Sequence, residues 1–180
     1  MKMGTRKSKN DMELLLSRQA ALAMTAGAVF YVDQAIKERI DQEPAGTFPR
    51  DGTGGLLSYV SFARYHNRGL AMGRFRDRQE LVRGIGALGS GTVLAALCRS
   101  VYKKEGLAKQ LGLALTLGGA LSNLYDRIIR GYVVDYMIIK KKPLDRIVIN
   151  LGDAAIFAGS LLYTAGSILQ DMTGSKKGKH

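Results

Sequence analysis

Residues 118–153 read GGALSNLYDRIIRGYVVDYMIIKKKPLDRIVINLGD. This stretch sets Asn123, Asp126, Arg127, Asp135, Asn150 and Asp153 beside or between apolar segments of nearly membrane-spanning length. A carboxylate inside a bilayer costs roughly 2.5–3.5 kcal/mol on insertion scales, so an acid kept there marks a functional site by default. Two aspartates flanked by asparagines point to aspartyl chemistry at a membrane surface.

Outward from that stretch, the chain is organised by four uncharged runs, Gln19–Val32, Gly84–Cys98, Gln110–Tyr125 and Ala154–Gln170, of 14, 15, 16 and 17 residues. Each falls a little short of the roughly 20 residues that cross a bilayer. Arg18, Arg83, Arg99 and Lys109 at their ends can snorkel and lengthen them. The 180 residues therefore read as one integral membrane domain, mainly α, with four transmembrane helices. A soluble helical protein with unusually apolar core helices is the alternative. The mean hydropathy of −0.04 is low for a multipass protein because the connecting segments are long and basic.

The net charge of +12 fits either nucleic-acid phosphates or anionic lipid headgroups. The basic residues form no single stripe and lack interleaved aromatics. They gather instead at Lys2–Lys9, Arg99–Lys109, Lys140–Lys142 and Lys176–Lys179, mostly at the edges of apolar runs, which favours lipid. Lysine and arginine are denser in 1–18, 99–109 and 171–180 than in 33–83 and 126–153. By the positive-inside rule the first three segments are cytoplasmic, with tails at 1–18 and 171–180. Residues 33–83 then form an extracytoplasmic loop carrying a β element between the first two spans. Ala26-Gly27-Ala28 resembles a signal-peptide cleavage site, but the later apolar runs make an uncleaved first span the better reading. Asp33 and Lys37 would sit at its outer mouth. The lone Cys98 excludes an intramolecular disulfide framework and reads as a small buried apolar residue.

Met1–Arg18 reads as a polar tail merging into a helix over Gln19–Ile40. Asp41–Gly55 holds two of the three prolines and reads as a loop. Leu56–Phe75 contains β-prone pieces such as Leu57–Phe62, broken by the polar Arg64–Gly69. Val133–Ile139 is β-branched and apolar, and Lys140–Pro143 ends it. Gly84-Ile85-Gly86-Ala87-Leu88-Gly89 matches a dinucleotide fingerprint, but no strand precedes it. Close helix packing through Gly86/Ser90 and Ala87/Gly91 explains it better.

Other catalytic constellations are thin. His66 and His180 are the two histidines; His66 reads as a loop residue, and no nucleophile-elbow sequence supports a serine triad. Histidine and cysteine ligands at metal-binding spacing are missing. Aspartate chemistry remains. Asp135 and Asp153 lie 18 residues apart across a proline-containing turn, so only tertiary folding can pair them. Two close carboxylates share one proton; the ionised one can activate water and the protonated one can donate to the carbonyl oxygen or the leaving amine. Asn123 and Asn150 could hold the pair, the water or a substrate carbonyl, and Arg127 could bind substrate or pin a loop. Helix capping is the open alternative, with Asp153 as an N-cap.

Four blocks, in order, resemble the lipoprotein signal peptidases, a membrane aspartyl protease family also called signal peptidase II. Asp33-Gln34-Ala35-Ile36-Lys37 is similar to D-Q-x-x-K, and Asn67-Arg68-Gly69-Leu70-Ala71-Met72-Gly73 to N-x-G-x-A-F-G. Gly118–Asp135 resembles G-G-A-L-G-N-L-x-D-R followed by G-x-V-V-D-F. Asn150–Ile156 resembles N-x-A-D-x-x-I. The resemblance covers roughly Gln19–Leu169. It implies four transmembrane helices with a small extracytoplasmic β-rich cradle, and Asp135 with Asp153 as the catalytic dyad. Asn67, Asn123, Arg127 and Asn150 would line the site with Asp33 nearby; Asp126 would support it, and Lys37 and Gly69 join as supporting or substrate-binding residues. The implied substrate is a bacterial prolipoprotein cut before a diacylglyceryl-modified cysteine, with no metal or organic cofactor. The implied protein is a monomer in contact with membrane lipids, without nucleic acid, in the bacterial cell membrane. Both termini would be cytoplasmic and the active site would face outward. Met72, Ser122 and Gly152 depart from the family's pattern, which bears on substrate preference more than on chemistry. The runner-up is a non-catalytic multipass protein that binds anionic lipid or a membrane partner through its basic loops.

Overall fold

The computed structural model describes residues 3–70, 74–142 and 147–177. The expectations placed on Ala71, Met72, Gly73 and Pro143 lie outside these. Four helices, α1 (Met3–Gln42), α2 (Gln79–Tyr102), α3 (Leu107–Ile129) and α4 (Leu151–Lys177), carry a small sheet of β1 (Arg50–Asp51), β2 (Val60–Asn67), β3 (Val133–Ile139) and β4 (Val148–Ile149). The helices run past the apolar runs at both ends. Residues 3–18, expected as a polar tail merging into the first helix, and 41–42, expected in a loop, both belong to α1. Among the described residues three stretches are long and apolar enough to cross a membrane: Met12–Gln42, Gln79–Tyr102 and Leu151–Met172.

Helix α3 is the centre of the bundle, packing on α4, α1 and α2. It is stitched to its neighbours by backbone approach. A Cβ on Gly119 would stand 2.2 Å from the Gly152 carbonyl oxygen, and one on Gly112 would stand 2.6 Å from the Gly159 carbonyl oxygen. Gly118 is held as closely against Ala26 of α1. Such small-residue contacts let helices associate in lipid, where apolar side chains gain little by leaving the solvent. The glycines singled out in α2 are different. Gly86 meets Leu124 and Ser90 is buried, but Gly84, Gly89 and Gly91 have nothing within 4 Å. Cys98 is exposed, which corrects the buried thiol expected: it lines an open groove beside α1.

The sheet is antiparallel in the order β1-β2-β3-β4. Strand β3 occupies the β-branched stretch read from the sequence, Val133–Ile139. Its alternation divides the two faces. Val134 and Tyr136 pack on Ile36 and Ile40 of α1, while Asp135 points the other way, toward α4. Leu57–Tyr59, read as strand, instead forms a 3-10 turn within Gly55–Tyr59, and β2 begins at Val60. The polar residues expected to break β2 continue it through Asn67. Arg64 donates to the carbonyls of Asp41 and Glu43, and His66 pairs with Asp41 at 2.6 Å and stacks on Tyr132. His66 is thus a strand residue with a structural partner.

Candidate active site

The site forms where the face of β3 carrying Asp135 meets the first turn of α4. Tyr65 and Asn67 of β2 lie across from Asp135 and Val133, so Asn67 and Asp135 are diagonal neighbours on one face. Asn67 Nδ2 donates to Asp135 Oδ2 at 3.1 Å, and its Oδ1 accepts the Gly69 N–H at 3.0 Å, closing a tight turn. Arg127 donates to the carbonyls of Asn123 and Gly69, so it pins the loop backbone.

Asn150 and Asp153 open α4 with a reciprocal cap. The Asp153 N–H donates to Asn150 Oδ1 at 2.8 Å, and the Asn150 N–H donates to Asp153 Oδ2 at 3.3 Å. This is capping-box geometry, with Asn150 as the cap and Asp153 three residues in. The N-cap read at Asp153 is corrected accordingly. The second oxygen of Asp153 is left for Asn123, whose Nδ2 donates to Oδ1 at 2.8 Å. Asn150 Nδ2 reaches Asp135 Oδ1 at 2.7 Å and Asn123 Oδ1 at 3.1 Å. Two asparagines therefore tie the two aspartates into one cluster.

Behind Asn123 lies a fully buried ionic centre. Lys37 Nζ stands 2.7 Å from Asp33 Oδ2 and 2.9 Å from Asp126 Oδ2, and all three side chains are 0% exposed. It also donates to Asn123 Oδ1 at 2.9 Å. Asp33 accepts from Ser122 at 2.6 Å and from Tyr136 at 3.0 Å; Asp126 is held by Gln34, Arg130 and the Val134 N–H. Asp33 and Lys37 are thus core groups rather than residues of an open helix mouth. Their i,i+4 spacing puts them on one helix face, the one turned toward α3. Ser122, Tyr136, Gln34 and Arg130 were not read as site residues. Gln34 and Ser122 lie inside the blocks that carry the family resemblance, which was the signal for them; Tyr136 and Arg130 had only their proximity in sequence to Asp135 and Asp126.

The electrostatics separate Asp135 from an ordinary surface acid. Burial, and then the charge of Asp153, push its carboxyl up to about 7, against the pull of the Asn67 and Asn150 amides. The Tyr136 phenol is raised above its usual range by burial and by Asp33, so it stays protonated and donates. Among the described residues no group of three or more His, Cys, Asp or Glu could hold a metal ion.

The family described as signal peptidase (SPase) II matches residues 25–169. A lipoprotein signal peptidase of Cellvibrio japonicus is 31% identical over 159 residues, covering 86% of this chain and 90% of that relative. One from Moorella thermoacetica is 36% identical over 136 residues, covering 74% and 83%. A solved bacterial membrane enzyme, determined by the in meso method at 2.3 Å, shares the fold with a TM-score of 0.67 at 23% identity. It covers 86% of this chain, and this chain covers 91% of it.

Proposed function

The chain belongs to the signal peptidase II family, and from that premise we propose that it is an aspartyl endopeptidase that removes signal peptides from prolipoproteins. It cleaves before the diacylglyceryl-modified cysteine. The observation that carries this reading is the asparagine bridge: Asn150 and Asn123 bond each other and one aspartate each, with Asp135 raised to about 7. Two adjacent carboxyls of which one retains its proton near neutrality are the equipment of an aspartyl protease.

In this mechanism Asp153 takes a proton from water as the water oxygen attacks the scissile carbonyl carbon. Asp135 gives its proton to the departing amine as the C–N bond breaks. The products are a free carboxylate on the signal peptide and a free α-amino group on the lipidated cysteine. The asparagine amides keep the carboxyls oriented, so little reorganisation is needed during reaction. Asn67, Gly69 and Arg127 shape the loop against which an extended peptide lies. Lys37, Asp33 and Asp126 support the dyad from within the bundle.

Helix α3 serves as the fourth transmembrane helix. Its polar residues face other helices rather than lipid, so it needs less apolar surface than its neighbours. The protein acts as a monomer in the bacterial cell membrane with both termini cytoplasmic and the dyad facing outward, the sheet forming an extracytoplasmic cradle. The reaction needs no metal or organic cofactor.

The test is cleavage of two matched lipobox peptides by detergent-purified protein, one with and one without the diacylglyceryl group. Cutting of the modified peptide alone, before its cysteine, is the expected result. Equal cutting of both, or none beside a working positive control, would overturn the proposal.

A further inference from the structure

Helices α1 and α2 both pack on α3 but scarcely on each other. The gap between them is a groove of about 500 Å³. Its walls include Ala23 and Ala26 of α1 and Leu94, Leu97 and Cys98 of α2, with Leu117 of α3 as the floor. It continues through Leu22 and Val101 into a smaller cavity lined by Arg18, Lys104 and Gln110. Fifteen residues of helix separate Arg18 from Asp33, about 22 Å at 1.5 Å per residue, so this mouth lies at the bundle end away from the dyad.

The mouth is built for an anion. Arg18 gives one nitrogen to the Glu105 carbonyl, but its Nε is buried with no partner. Lys104 pairs with no carboxylate among the described residues, while Glu105, the one acid of segment 99–110, is engaged by Lys109 at 3.0 Å and lies 3.8 Å from Arg99. Lys104 also sits where backbone conformation alone would select glycine. Its N–H bonds the Val101 carbonyl and that of Glu105 bonds Ser100, closing a Schellman turn with Lys104 at φ 52°. A cation is held in the left-handed position at a conformational cost.

We infer that the groove between α1 and α2 binds one anionic phospholipid. Its phosphate is held by Arg18 and Lys104, and an acyl chain runs along Ala23, Leu97 and Leu94. An apolar channel ending at uncompensated cations matches a lipid of that charge better than a zwitterionic one. The inference requires a bilayer-spanning chain but not the peptidase reading, and its test does not measure cleavage.

The chain has no tryptophan, so Leu94→Trp places a single, selectively excited tryptophan in the groove. In bilayers of phosphatidylcholine and phosphatidylglycerol, quenching is compared when one lipid or the other carries brominated acyl chains. Phosphatidylglycerol should be preferred roughly 25-fold at this position, since each of the two cations near the anionic headgroup provides about fivefold. A Leu161→Trp probe on the exposed face of α4 should show no preference. Arg18→Gln and Lys104→Gly, each added to Leu94→Trp, should bring the ratio toward one. Lys104→Gly should do so without loss of thermal stability, because glycine suits that turn. Equal quenching by both lipids, a preference that survives both substitutions, or no quenching by either lipid would overturn the inference.

Discussion

Lys37→Met should be among the most damaging single changes outside the dyad. Lys37 is 0% exposed and is the shared counter-ion of two carboxylates, Asp33 at 2.7 Å and Asp126 at 2.9 Å. Methionine fills similar volume, so packing changes little, yet two buried acids lose their common cation. Breaking a buried pair by removing one partner costs about 3–5 kcal/mol. The lower end applies here, because Asp126 keeps Arg130 and Gln34, and Asp33 keeps the hydroxyls of Ser122 and Tyr136. A loss of about 3 kcal/mol is therefore expected in equilibrium unfolding by SDS in mixed micelles. The double variant Lys37→Met/Asp33→Asn removes one orphaned charge together with the cation. It should recover a coupling of about 2 kcal/mol relative to the sum of the single changes. A single variant within about 0.5 kcal/mol of the parent, or strictly additive losses in the double, would refute the reasoning.

Because Asp135 is raised to about 7, the folded chain retains a proton that the unfolded chain releases above about pH 4. Stability should fall as pH rises from about 4 to 7, by up to about 1.4 kcal/mol per unit, and level off above that. Asp135→Asn should flatten this slope in unfolding titrations, and the cleavage rate of the parent should decline as pH rises through about 7. Gly119→Ala drives a methyl into the Gly152 carbonyl and should cost at least about 1–3 kcal/mol. Gly84→Ala, with open space around it, should stabilise α2 by up to about 1 kcal/mol in the same unfolding assay. Asn123→Ala strips Asp153 of a donor and Lys37 of an acceptor. A drop in kcat of about a hundredfold or more, at a stability cost of about 1–3 kcal/mol, is the outcome to look for in peptide cleavage and unfolding together.

What was legible in the sequence follows from what local chemistry encodes. Val133–Ile139 was readable as a strand because it is rich in β-branched residues and is ended by Lys140–Lys142. The helical runs were readable because charge is excluded from them. Asp33 and Lys37 were read at the outer mouth of the first span; their partner Asp126 lies about ninety residues further on, and nothing local announces that it faces them. The same limit explains the glycines. Gly84, Gly86 and Gly89 form the more conspicuous motif, yet Gly112 and Gly119 carry the close contacts, because a glycine's use depends on what the opposite helix brings to it. Asp153 was read as a cap since it precedes an apolar run. The true start of α4 is set by Asn150, whose side chain also serves Asp135, a double duty that no spacing rule predicts. Cys98 was misjudged because it ends an apolar run; Leu97 beside it does pack into a core, but Cys98 itself is turned to the open groove.

The central claim is that Asp135 and Asp153 act as one dyad, and it is tested most directly by the kcat of folded Asp135→Asn and Asp153→Asn on a diacylglyceryl-modified lipobox peptide. Thermal unfolding of the detergent-purified proteins serves as the control for folding. The account predicts that cleavage before the modified cysteine falls at least about a hundredfold in each variant, while both remain folded. Cleavage that persists in both variants at near-parent rates would contradict it.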